Sequence, residues 1–149
     1  MHGMSTVRWT VALATVAASL GFTAIAVAET QLSGSTAQGT DVKLVVGDFG
    51  NATSFSVSSA EVECKHGTLS TGKITFNRFD VSDPGAFRDK SRDQSRSGAL
   101  KFKSKTSLTG DEGTASPGTW AGTYRRKTKV FKNGDKLDTC RVQTTWTAS

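Results

Sequence analysis

The chain has 149 residues, two cysteines and a formal net charge of +6 at pH 7. This charge is a mild basic bias and excludes a polycation. The length leaves room for one domain with one modest hydrophobic core and excludes a second.

The first 28 residues have the three parts of an export signal. Arg8 marks a short basic region, an apolar stretch runs from Trp9 to Val27, and the small residues Ala26 and Ala28 flank Val27. We predict a signal-peptide helix over residues 1–28 that is cleaved after Ala28, which gives a secreted, soluble product with no membrane attachment. The alternative is an uncut membrane anchor, because an apolar stretch of about 19 residues can span a bilayer.

Both cysteines, Cys64 and Cys140, remain after this cleavage. Disulfides persist in export compartments, so we predict that the two pair. Closing so long a loop contributes roughly 4 to 5 kcal/mol in the chain-entropy treatment. His66 is the only histidine after residue 28. We therefore expect neither a metal site nor another cofactor.

The next segment, residues 29–40, is polar and small, and it predicts a flexible linker before a domain over residues 41–149. From there the sequence has β-branched and aromatic residues in short runs between turn residues, which is typical of antiparallel strands. We predict seven strands: Val42 to Phe49, Ser54 to Val57, Ala60 to Cys64, Lys73 to Phe79, Ala99 to Leu108, Trp120 to Phe131 and Leu137 to Ala148. The charged segment from Asp80 to Ser97 predicts a mobile loop.

The last two strands meet at Asn133 and Gly134, a strong hairpin signal. A two-residue turn without a bulge would place the apolar face of one strand against the polar face of the other. One extra residue corrects the register and sets Gly122 opposite or near Trp146. We therefore predict a β-bulge at Gly134.

Two segments resemble a known group of proteins. The part from Gly98 to Ser149, with its GTWAGTY, KNGDKLDTC and WTAS stretches, resembles the C-terminal half of small secreted bacterial proteins common in actinobacteria. The FNRFDVSDPGAFRDK stretch, residues 76–90, resembles the passage from a buried strand into a Gly-x-Phe turn in the same proteins. The resemblance implies an immunoglobulin-like β-sandwich with one disulfide, and it implies no biochemical activity.

We therefore expect an all-β fold, an immunoglobulin-like sandwich of about seven antiparallel strands. A small closed barrel is the alternative. The predicted core consists of Phe76, Phe102, Trp120, Tyr124, Val142 and Trp146.

Catalytic groups are scarce. His66 is the only candidate base and has no nucleophile motif beside it, so we expect a surface histidine and no enzyme. The alternatives are a secreted hydrolase that uses Glu61, Glu63 or His66, and a secreted protease inhibitor that presents the 80–97 loop. The chain has no glycine-rich phosphate loop, which argues against nucleotide binding.

The basic residues give the leading functional hypothesis. Two strands each carry three cations on one face, and these residues are Lys101, Lys103 and Lys105, then Arg125, Lys127 and Lys129. They predict a monomeric, non-enzymatic binding or structural module that contacts an anionic cell-wall or extracellular polymer or a cell-envelope surface. The alternative is a solvated face that lysines keep soluble. A hairpin centred near Glu112 or Gly113 would place Lys101 beside Arg125, a repulsive arrangement.

Overall fold

The computed structural model describes residues 29–77, 79–83, 85–113 and 116–149. The predicted signal peptide lies outside these residues. The described part is all-β, as predicted. Its strands are β1 (Thr30–Thr36), β2 (Asp41–Val46), β3 (Ala52–Val57), β4 (Ala60–Cys64), β5 (Thr68–Thr71), β6 (Ile74–Phe76), β7 (Asp80–Asp83), β8 (Ala86–Ser97), β9 (Leu100–Glu112), β10 (Trp120–Lys132) and β11 (Asp135–Ala148).

The strands form one antiparallel sheet in the order β6-β3-β2-β1-β11-β10-β9-β8-β7, and β4 pairs with both β11 and β5. Strands β3 and β8 lie near opposite ends of this path. Even so, the ring of Phe55 on β3 lies 6.4 Å from that of Phe87 on β8. The sheet therefore curls over itself and is nearly closed, like a barrel. More strands form than the seven predicted.

The predicted disulfide is confirmed, and it joins two neighbouring strands. Cys64 on β4 and Cys140 on β11 are register partners with Cα atoms 3.9 Å apart. Only one further pair, Glu63 with Arg141, links the two strands within the described residues. The bond thus fastens the β4–β5 hairpin to the main sheet at a junction with little backbone pairing.

The flexible linker predicted for residues 29–40 is wrong over Thr30–Thr36, which form β1. This strand lies between β2 and β11 and is held mainly by backbone pairing, so it needs few large apolar side chains. A Cβ atom at Gly34 would collide with the carbonyl oxygen of Thr147. Glycine is required there because the two backbones approach closely.

The mobile loop predicted for residues 80–97 is also wrong, because this segment forms β7 and the whole of β8. Strand β8 pairs with β9 from Ala86 to Ser97 without a register shift. Beyond Phe87 its side chains are half-buried or exposed on both faces. The sequence of β8 therefore lacks the alternation of apolar and polar residues that predicts a strand. Backbone hydrogen bonds to β9 hold the strand in place instead.

The β10–β11 hairpin has the predicted register, with Gly122 opposite Trp146. The predicted bulge position is wrong. Asn133 and Gly134 form a two-residue turn with φ angles of 51° and 95°, because Lys132 pairs directly with Asp135. The extra residue is Leu137, since Phe131 pairs with Lys136 and Val130 with Asp138. The register correction thus occurs within β11.

The core is built around one row of side chains across the sheet. Trp146, Gly122, Gly110 and Phe87 are successive partners on β11, β10, β9 and β8. Gly110 leaves room for the indole and phenyl rings, whose centroids lie 6.0 Å apart, and Gly122 lets the backbones of β10 and β9 approach closely, because a Cβ atom there would collide with the Thr109 carbonyl oxygen. A Cβ atom at Gly110 would overlap both rings. The aromatic pair therefore depends on the absence of side chains between its members.

Five of the six predicted core residues are buried. Phe102 is only half-buried, because its side chain lines a groove that is open to solvent. Burial raises the pKa of Tyr124 to about 12, so its phenol stays neutral. Phe55 and Phe87 belong to the core although the sequence did not single them out.

We predict that Gly110→Ala lowers the free energy of unfolding by about 1 to 3 kcal/mol, because the methyl group displaces both rings. Urea unfolding followed by tryptophan fluorescence measures the change. Gly67→Ala is the control, since a Cβ atom at Gly67 meets no other atom within 4 Å. Equal stability of the two variants would contradict this account of the core.

Candidate anion-binding face

Strands β9 and β10 are neighbours, which brings the predicted cations together. Lys105 lies opposite Lys127, and Lys103 lies opposite Lys129. The proximity considered for Lys101 and Arg125 does not occur: Lys101 is paired with Phe131, and Arg125 with Ser107. The β9–β10 hairpin connection runs over residues 113–119, so its centre lies further along the chain than Glu112 or Gly113. This shift in register separates Lys101 from Arg125.

Strands β8 and β11, on either side of β9 and β10, add further cations to this group. Arg92, Lys105, Lys127 and Arg141 are successive partners on β8, β9, β10 and β11. We call the outward face of these four strands the cationic face. Its basic residues are Arg88, Lys90, Arg92, Arg96, Lys101, Lys103, Lys105, Arg125, Lys127, Lys129, Lys136 and Arg141.

The sheet spaces these charges regularly. Neighbouring strands are about 4.8 Å apart, and residues on one face recur roughly every 6.7 Å along a strand. Ser107 and Gln143 lie among the cations near the middle of the face and offer a hydroxyl and an amide. A shallow depression of about 480 Å³ covers this region. The face can therefore present several cations and neutral hydrogen-bonding groups to one extended ligand.

Few carboxylates compensate these charges. In the part of the chain that the structure describes, Asp111 lies at one end of the face, and Glu63 borders it beside Arg141. The pKa of Lys127 is lowered, mainly by the charge of Arg141, then by burial, and then by Lys129 and other nearby lysines. The lowered pKa means that bringing these cations together has a cost for folding.

Half of the cationic face was missed from the sequence. The alternation of Arg88, Lys90, Arg92 and Arg96 has a period of two, the signal of a strand face. It was overlooked because oppositely charged and hydroxyl residues fill the intervening positions. Phe131 adds an aromatic ring, and the Lys103 ammonium group lies 5.3 Å from its centroid.

Arg126 points to the opposite face of the sheet. Its guanidinium group donates to the two carboxylate oxygens of Asp93 at 3.0 and 3.3 Å, and to Thr106 Oγ1 at 3.0 Å. This pair lines a groove of about 990 Å³ between the inward face of β8–β10 and residues 69–77. The charge of Arg126 is thus balanced locally and adds nothing to the outward potential.

His66 belongs to a structural contact beside the disulfide. The Asp138 carboxylate accepts hydrogen bonds from the backbone N–H groups of Lys65, His66 and Thr139 at 2.7 to 3.0 Å. Burial alone would raise the pKa of Asp138, but these three donors outweigh it and the pKa is lowered below 3.8. The His66 Nδ1 atom lies 3.7 Å from the same carboxylate. The arrangement fixes the turn after Cys64.

We predict that Asp138→Asn lowers the free energy of unfolding at pH 7. A carboxylate with a lowered folded-state pKa stabilises the fold above its unfolded pKa, and this stabilisation is lost as the pH falls below about 4. The difference between wild type and variant in urea unfolding should therefore shrink between pH 5 and pH 2. Asp48→Asn, in the exposed β2–β3 turn, is the control. A difference independent of pH would refute this role for Asp138.

The structure adds little support to the hydrolase and protease-inhibitor hypotheses. Glu61 and Glu63 are exposed on β4, and neither lines the depression or the groove. The inhibitor hypothesis requires a presented loop, whereas residues 86–97 form a strand. No cluster of three or more potential metal ligands occurs within the described residues. The described part also contains no helix that could cross a membrane.

Comparisons with protein-family models, curated proteins and solved structures find no match to this chain.

The cross-strand cation pairs predict a dependence of stability on salt. Raising NaCl should increase the urea midpoint of the wild type, because screening weakens the repulsion between Lys105, Lys127 and Arg141. Lys127→Gln should increase the midpoint at low salt and reduce its salt dependence. Lys43→Gln, on β2 away from this face, controls for the lost charge. A midpoint of Lys127→Gln below that of the wild type at low salt would contradict repulsion at this position.

Proposed function

We propose that this protein is a secreted, non-enzymatic module that binds an extended anionic polymer through its cationic face. The observation that carries the proposal is the unbroken row of Arg92, Lys105, Lys127 and Arg141 across four paired strands. Surface lysines that only maintain solubility gain nothing from being adjacent. Four cations in register create a local potential that attracts a ligand with repeated negative charges.

The proposed ligand is a polymer with a negative group at each repeat, such as a phosphate-rich or uronate-rich polymer of the cell envelope. The grid of cations spaces its charges by about 5 Å across the strands and about 7 Å along them, so a chain can run in either direction. The Lys and Arg side chains are long and flexible enough to reach the negative groups of a polymer in either direction. Affinity should therefore come from many exposed contacts and decline steeply with salt.

Secretion and fold type are part of the proposal. Export rests on the predicted signal at residues 1–28, and the Cys64–Cys140 disulfide is compatible with an oxidising compartment. The immunoglobulin-like sandwich implied by the resemblance stays a prediction. The single curled sheet also suits the closed-barrel alternative.

The test is retention on an immobilised anionic polymer, such as polyglutamate or a teichoic acid, across a NaCl series. We expect retention at low salt that is lost as salt rises. A Lys105→Glu, Lys127→Glu double variant should bind at least about tenfold more weakly. The control is Lys43→Glu with Lys73→Glu, which changes the net charge equally but lies on β2 and before β6.

Two outcomes would overturn the proposal. One is the absence of retention at low salt. The other is equal weakening by the two double variants, which would show that only the net charge matters. Tryptophan fluorescence and urea unfolding of each variant verify that the fold is retained.

A further inference from the structure

The outer edge of β8 offers backbone groups without a strand neighbour. On one side β8 pairs with β9 over its whole length, from Ala86 to Ser97. On the other side β7 pairs with it only at Ala86 and Arg88. From Asp89 onwards, no strand of the described chain covers this edge.

The register shows which residues point outward. The Glu112 N–H group donates to the Gly85 carbonyl oxygen at 2.7 Å, so these two residues form a hydrogen-bonded pair. In an antiparallel ladder such pairs recur at every second residue, and the register does not shift along β8. The odd-numbered residues of β8 therefore bond to β9. The backbone N–H and C=O groups of Lys90, Arg92, Gln94 and Arg96 face the free edge.

We propose that this edge binds an extended acidic segment of a partner protein, which adds to the sheet as a further antiparallel strand. The four residues with outward backbone groups also place their side chains on the cationic face. A strand paired with them sets its own alternate side chains beside Lys90, Arg92 and Arg96. Opposite charges at such positions stabilise pairing and like charges oppose it. Acidic residues at alternate positions therefore fit.

The same arrangement disfavours a second copy of this chain. If the β8 edges of two copies paired antiparallel about Asp93, Lys90 of one copy would lie opposite Arg96 of the other. These two cations would repel each other. Charged edge strands commonly prevent self-association in this way. The edge therefore disfavours pairing with β8 of a second copy and favours a strand of opposite charge.

The groove on the inward side accommodates the other half of the added strand. The side chains of Ser91, Asp93 and Ser95 line it, together with Phe102 and the segment over residues 69–77. Side chains between the acidic positions of the partner would point to this side. Asp93 is paired with Arg126, and Asp89 on the same side of β8 disfavours a further carboxylate, whereas the hydroxyl groups and the apolar side chains of the lining accept a small residue that has both a hydroxyl and a methyl group. Small hydroxyl residues such as threonine suit these positions.

The experiment uses a fluorescent peptide of about seven residues, with glutamate at every second position and threonine between, titrated into the protein at low salt. The decisive variant is Gln94→Pro. It removes an outward N–H group but no bond to β9, because Gln94 is not a hydrogen-bonded partner there. We expect about tenfold weaker binding than for the matched control Gln94→Ala.

N-methylated peptides test the same contacts without changing the protein. Methylation of the glutamate amides, which face β8, should weaken binding about tenfold. Methylation of the threonine amides, which face away, should have little effect. Binding should also slow amide exchange at Lys90, Arg92, Gln94 and Arg96.

The proposal is overturned if the wild type does not bind the peptide, or if both methylated peptides bind wild type equally well. In the second case the peptide is held by charge alone. Polymer retention by the same protein is measured separately. Failure of strand addition is thus distinguishable from failure of the proposed polymer binding.

Discussion

The contact between Trp146 and Phe87 across Gly122 and Gly110 determines which way the sheet faces. These residues form one row on four neighbouring strands, and the indole Nε1–H group donates to the Thr109 carbonyl oxygen at 3.1 Å. The Phe55 ring closes over the indole with centroids 4.7 Å apart. Because side chains alternate along a strand, burying this row directs every second residue of β8–β11 outward. The basic residues lie at these outward positions, and together they form the cationic face.

The outward charges have a cost that the rest of the fold must offset. Lysines and arginines lie directly opposite one another on neighbouring strands, and Arg141 lowers the pKa of Lys127. The buried aromatic residues and the disulfide between Cys64 and Cys140 supply compensating stability. Selection for stability alone would separate such cations. Their placement in register is the reason for proposing a polyanion, because such a ligand would neutralise them.

The sequence was sufficient where apolar residues alternate. Strands β9, β10 and β11 were predicted near their observed positions, and the pairing of Gly122 with Trp146 followed from matching apolar faces. The position of the bulge could not be predicted, because a residue inserted at Leu137 or at Gly134 restores the same register. The disulfide followed from the presence of only two cysteines in a chain that was predicted to be exported.

Strands without such alternation were missed for a physical reason. Strand β1 is held mainly by its two neighbours' backbones, and β8 is an edge strand whose side chains beyond Phe87 are half-buried or exposed. Hydrogen bonds between backbones leave no pattern in the side chains. As a result, the candidate site was recognised on β9 and β10 but not on β8, where Arg88, Lys90, Arg92 and Arg96 extend it, and Lys136 and Arg141 on β11 were also missed.

Polyanion binding at the cationic face is tested most directly by a nuclear magnetic resonance titration of the ¹⁵N-labelled protein with an anionic polymer at low salt. We expect shift changes concentrated on the outward-facing residues of β8–β11, centred on Lys105 and Lys127, with β1–β3 largely unaffected. Shift changes spread evenly over the surface, or centred on β1–β3, would contradict it.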